Sequence, residues 1–94
     1  MSKEKKEIAM SRHHLLPQSQ GGANVPKNIE VIRDVNHRAI HTLFTNQMIA
    51  EQLITTVNIS SKALREDVKQ WLLETLTSRD IHDPYEWYDS KVII

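Results

Sequence analysis

The chain has 94 residues, 39% of them hydrophobic and 26% charged, enough for one small domain and too few for two independent cores. Twelve Lys/Arg balance twelve Asp/Glu and there is no cysteine, which excludes disulfides, thiolate zinc sites and a cysteine nucleophile. The zero net charge hides an asymmetry. Residues 1–44 carry seven Lys/Arg against four Asp/Glu, or +3, and residues 45–94 carry five against eight, or −3. A basic half suits phosphate contact at one end of the molecule and a different contact at the other. Three excess positive charges neutralise few phosphates, so tight unaided DNA binding does not follow.

Residues 1–7 are charged and predict a flexible polar arm. No apolar run follows them, so they do not read as a secretion signal. No stretch approaches the ~18 apolar residues of a membrane span, and the expectation is a soluble, cytoplasmic protein. From Glu7 to Leu16 the residues Ile8, Met10, Leu15 and Leu16 alternate imperfectly, which predicts a short strand with His13 and His14 near its end. Pro17 to Pro26 is a loop by composition, with Gly21-Gly22 as a flexible turn. A second strand is expected over Asn28 to Ile32.

Asp34 reads as the N-cap of a helix to about Phe44, with His37, Ile40, His41 and Phe44 on one face. Thr45 is placed to cap a helix to about Val57, and Phe44 and Ile49 to staple it. Ser60 is placed to cap the next, stapled by Ile59 and Leu64. Leu64, Val68, Trp71, Leu72 and Leu76 then form the cleanest amphipathic stripe in the chain, which predicts core packing. Asp83-Pro84 is an N-cap followed by proline at the first helical position, so residues 85–88 predict one helical turn. Tyr85, Trp87 and Tyr88 lie among Asp83, Glu86 and Asp89, which favours packing or partner contacts over stacking on bases. The chain finishes on the apolar Val92-Ile93-Ile94.

Four of the five histidines fall in two close pairs, His13–His14 and His37–His41, with Asn28 between them. Residues four apart on a helix share a face, so His37 and His41 suit two ligands of one metal ion. The third ligand must come from the His13–His14 pair. Neighbours on a strand point opposite ways, so one of the two binds and the other is left beside the metal, where a general base stands.

The segment Arg12-His13-His14-Leu15-Leu16-Pro17, then Gly21-Gly22, Asn28 and His37-Arg38-Ala39-Ile40-His41, resembles HNH (ββα-metal) endonucleases over roughly the first half of the chain. The resemblance implies an HNH-like ββα-metal motif over residues 8–45; with the two or three helices that periodicity predicts over residues 46–94 packed on it, the expected fold is α+β. The resemblance also implies His13, His37 and His41 as metal ligands and His14 as general base. Asn28 matches the family's central Asn, which braces the loop and orients the base. Arg12, beside the pair, is the expected phosphate contact. The reaction implied is hydrolysis of a DNA phosphodiester, in which neutral His14 takes a proton from the attacking water. A single divalent ion is expected. Three imidazoles favour Zn²⁺ or Ni²⁺ in affinity, whereas Mn²⁺ and especially Mg²⁺ prefer oxygen ligands.

The chain departs from the family in two ways. Without cysteine it lacks the second zinc that braces some members, and it has no DNA-reading domain beyond the motif. The competing expectation is therefore an HNH-like binding module without cleavage activity, such as a small phage-type inhibitor of a defence nuclease complex. In either case a larger protein or nucleoprotein partner, or self-association, is expected to use the acidic C-terminal half.

Overall fold

The computed structural model describes residues 8–94, and the expected arm at residues 1–7 lies outside them. Strands β1 (Met10–His14) and β2 (Ile29–Arg33) form an antiparallel pair. Helices α1 (Asp34–Phe44), α2 (Ile49–Ser60), α3 (Glu66–Leu76) and α4 (Pro84–Trp87) follow. This is the small α+β arrangement expected, with the ββα order intact. Ser11 pairs with Ile32 and His13 with Glu30, so Ser11 and His13 share one face of the hairpin. α1 packs against both strands, and its first amide, on Asp34, donates to the carbonyl of Ala9 at 2.8 Å.

The loop between the strands is held by Asn28, which is fully buried. Its Oδ1 accepts from the Leu16 amide at 2.8 Å, and its Nδ2 donates to the carbonyls of Leu16 at 3.0 Å and Ala23 at 2.9 Å. The amide side chain thus meets both main-chain groups of Leu16, as a neighbouring strand would. Gly21-Gly22 is more than a flexible turn. Gly21 has φ 94°, and a Cβ on Gly22 would run into the Leu16 carbonyl and sit 2.9 Å from Asn28 Nδ2. Only glycine lets the chain pass so close.

Several boundaries move. Asp34 is the first residue of α1 and pairs with Arg38 at 3.0 Å, while Arg33 occupies the cap position without a side-chain bond. Thr45 caps nothing. It sits in the turn after α1 with φ 54°, and α2 starts four residues later, where Glu51 reaches back to accept from the Met48 amide at 3.0 Å. Ser60 belongs to α2 itself, and α3 starts at Glu66 after Arg65. Ile59 is 64% exposed, so it staples nothing. The Asp83 cap forms as expected, its side chain accepting from the Tyr85 amide at 2.9 Å.

The core is small. Leu16, Met48 and Val92 are buried together, with Tyr88 and Ile93 packed against them. Ala50, Val57 and Leu76 are buried along α2 and α3. The apolar C-terminus is thereby accounted for within the chain at Val92 and Ile93: the Ala23 amide donates to the Val92 carbonyl at 2.7 Å, and the Ile94 amide to the Gly21 carbonyl at 2.9 Å. The α3 stripe is core only in part: Leu76 is buried and Leu64 and Leu72 are half-buried, but Trp71 is 61% exposed and Val68 is exposed too, although α3 packs on α2. No helix among the described residues is long and apolar enough to cross a membrane.

Candidate metal centre

Three side chains from two elements converge on one point. His13 comes from β1, and His37 and His41 from successive turns of α1. One ring nitrogen from each lies within 4.8 Å of the others. The His13 ring meets those of His37 and His41 edge-on, with centroids 5.1 and 5.7 Å away. His37 Nε2 and His41 Nε2 stand 3.0 Å apart. Two nitrogens bound to one ion at ~2.0–2.1 Å sit roughly 3 Å from each other, so the helical pair is already at ligand spacing.

Two further observations suit a divalent ion. Among the described residues His13 Nδ1 is buried with no hydrogen-bond partner, a costly state that an ion on that nitrogen would relieve. Burial, then the nearby His37, His41 and His14, pushes the pKa of His13 below its ordinary value. The neutral imidazole is thus favoured, and that is the form a metal requires. The donor set fits such an ion.

His14, next on the strand, is not in this cluster. It pairs with Ile29 and lines a cavity of about 300 Å³ together with Arg12, Gln18, Ser19, His37, His41 and Asn46. Its Nε2 is buried and has no hydrogen-bond partner. The division within the pair is therefore one histidine in the triad and one beside it. Among the described residues the cavity lining carries no carboxylate; it offers one guanidinium, one hydroxyl, two amides and imidazoles, a surface that favours an anion. The Arg12 Nη2 also donates to Asn24 Oδ1 at 3.2 Å, which holds it at the cavity. Asn28 braces the main chain two residues beyond His14, and its side-chain bonds all go to backbone, none to the His14 ring.

Sequence reasoning passed over two groups at the site. Ser11 Oγ lies 2.8 Å from His37 Nδ1, and the Thr45 carbonyl 3.1 Å from His41 Nδ1. Ser11 was within reach of a closer reading, since strand alternation puts it on the face of His13. The Thr45 carbonyl was not, because its direction depends on a positive φ. No known family, curated protein or solved structure matches this chain.

Proposed function

We propose that the chain is a metal-dependent HNH-type endonuclease that hydrolyses DNA phosphodiester bonds. The observation that carries this reading is the split of the His13–His14 pair: His13 joins a three-histidine cluster, while His14 lines the adjoining cavity beside Arg12. A purely structural ion has no need of a second histidine in an anion-favouring cavity, and structural zinc sites use four protein ligands.

His13, His37 and His41 would hold the ion. When bound, the ion supplies charge stabilisation for a phosphoryl group and its leaving oxygen. Arg12 binds and orients a phosphate at the cavity mouth. His14, which lines the cavity, would take a proton from water in its neutral form, a role worth on the order of 10²–10⁴ in rate. Asn28 keeps the Leu16 main chain, and with it His14, in place.

The test is plasmid cleavage by the pure protein with Mg²⁺, Mn²⁺, Ni²⁺ and Zn²⁺ in turn. His14→Ala is expected to lose cleavage by at least about 10²-fold and keep its metal, whereas His41→Ala loses both. No cleavage by the wild type with any of the four ions sinks the enzymatic reading. One observation favours the second reading, a binding module that engages a larger protein or a second copy through the C-terminal half. Trp71, Ile59, Leu53 and Val68 are exposed on α2 and α3, apolar side chains that a partner could cover.

A further inference from the structure

Four groups form a continuous line through the centre. Ser11 Oγ lies 2.8 Å from His37 Nδ1, His37 Nε2 lies 3.0 Å from His41 Nε2, and His41 Nδ1 lies 3.1 Å from the Thr45 carbonyl. Only one end of this line has a fixed role. A carbonyl can only accept, so His41 carries its hydrogen on Nδ1, and in the neutral ring Nε2 is then a bare lone pair. His37 must satisfy that lone pair at 3.0 Å, and in the absence of an ion it does so by donating from Nε2. Its own Nδ1 is then an acceptor, and the Ser11 hydroxyl donates to it. Every group in the line is satisfied, in one direction.

An ion changes the line at His37 and Ser11 and leaves the bond from His41 to Thr45 as it was. To bind through Nε2, His37 must give up the hydrogen there and carry one on Nδ1. The balance is neutral: one proton leaves Nε2 to solvent, one arrives at Nδ1 from solvent, and the ring stays uncharged. The partner of Nδ1 must then accept where it previously donated. A hydroxyl does both, by rotating its hydrogen away. A carbonyl or an amide nitrogen in the place of Ser11 could do only one.

Thr45 explains why the far end does not move. Its φ of 54° and ψ of −123°, with the Gln47 amide donating to the Phe44 carbonyl at 3.0 Å, place it at the first central position of a tight turn that normally takes glycine. A β-branched residue at positive φ is a true outlier. Such backbone strain persists where the surroundings demand it. Here it turns the Thr45 carbonyl back toward His41, while the Thr45 amide still donates to the His41 carbonyl at 3.0 Å.

We infer that Ser11 and Thr45 are positioning residues of a tautomer switch: Thr45 locks His41 with Nε2 free, and Ser11 lets His37 exchange one tautomer for the other as an ion enters. This rests on the metal-centre reading above. The test is imidazole ¹⁵N spectra of the full chain at about pH 8, where free histidine is neutral, without metal and with Zn²⁺ alone. Without metal, His41 is expected to carry hydrogen on Nδ1 and His37 on Nε2. With Zn²⁺, His37 moves its hydrogen to Nδ1 and His41 does not change. Ser11→Ala should weaken Zn²⁺ binding about tenfold or more, the usual cost of removing a ligand's orienting partner. Ser11→Thr, which keeps the hydroxyl, should restore it to within about threefold.

Failure takes distinct forms. If Zn²⁺ binds but His37 already carries hydrogen on Nδ1 without it, or Ser11→Ala binds as well as wild type, the switch is overturned and the metal centre stands. If the metal-free tautomers are as expected but no Zn²⁺ binds, the metal-centre reading falls and takes the switch with it.

Discussion

Asn28 shows most clearly what one residue does in this molecule. The resemblance to HNH endonucleases marked it for the loop and the base. The structure shows how it holds the loop: with three bonds to main chain it imitates a strand neighbour for Leu16. Spacing cannot reveal that, because the partners are backbone groups with no side-chain signature. Asn28→Ala would leave the two buried main-chain groups of Leu16 and the part-buried carbonyl of Ala23 without this partner, at ~1–3 kcal/mol for each buried group, so a loss of about 3 kcal/mol or more in denaturant unfolding is expected. Asn28→Asp should be at least as damaging despite its near-identical shape, since a carboxylate cannot donate to the Leu16 and Ala23 carbonyls and would face both. A milder effect for Asp than for Ala would show that the donated bonds count for little. The helical half of the triad was legible, since a helix brings His37 and His41 together at a four-residue spacing, while the choice of His13 over His14 came from the resemblance.

Among the elements, legibility follows the range of the interactions that set each boundary. The hairpin and α1 came out close to their sequence-derived limits because alternation and the i, i+4 pattern are local. The Asp83-Pro84 start of α4 is local too. The start of α2 is not: Thr45 has the chemistry of a cap, but Glu51 caps from inside the helix and the Ile49 amide donates to the Tyr88 hydroxyl at 2.7 Å, 39 residues away. The α3 stripe misled for the same reason, since periodicity finds an apolar face and says nothing about whether a partner covers it. The C-terminal segment is tied to the loop by another distant pair, Lys27 with Asp89 at 2.6 Å. The Asp89 side chain also accepts from the Lys91 amide at 2.8 Å. Its bond to Lys27, then that to Lys91, holds its carboxyl below the ordinary carboxylate value. A carboxylate with a depressed folded pKa adds stability above its unfolded pKa, and this is lost as pH falls through the folded one. The melting-temperature gap between wild type and Asp89→Asn should therefore be open at pH 7 and close as pH drops below about 4. A gap that stays constant over that range would assign the loss to the Lys91 cap geometry instead of the charge.

At the scale of the whole molecule, the chain is broad and thin. Its extents are 57 × 36 × 16 Å with a radius of gyration of 16.6 Å, against about 12 Å for a compact domain of this length. A thin body buries little: six apolar side chains form the core, none of them in β1, β2 or α1. The ββα motif is thus held by its hydrogen bonds, by the Leu16 cluster at its edge, and by whatever joins β1 to α1. An ion on His13, His37 and His41 would tie that strand to that helix where apolar packing is weakest. Ligand that binds only the folded chain stabilises it by RT ln(1 + [L]/Kd), about 2.7 kcal/mol at a hundredfold excess over Kd. For a domain of this size each kcal/mol moves Tm by roughly 4–8 °C, so saturating Zn²⁺ should raise Tm by about 10 °C or more over the same protein in chelator. His41→Ala should show no such rise, and His14→Ala should show it in full, because only the first removes a ligand. Equal rises in wild type and His41→Ala would place the ion elsewhere and leave the motif held by its hydrogen bonds and the Leu16 cluster.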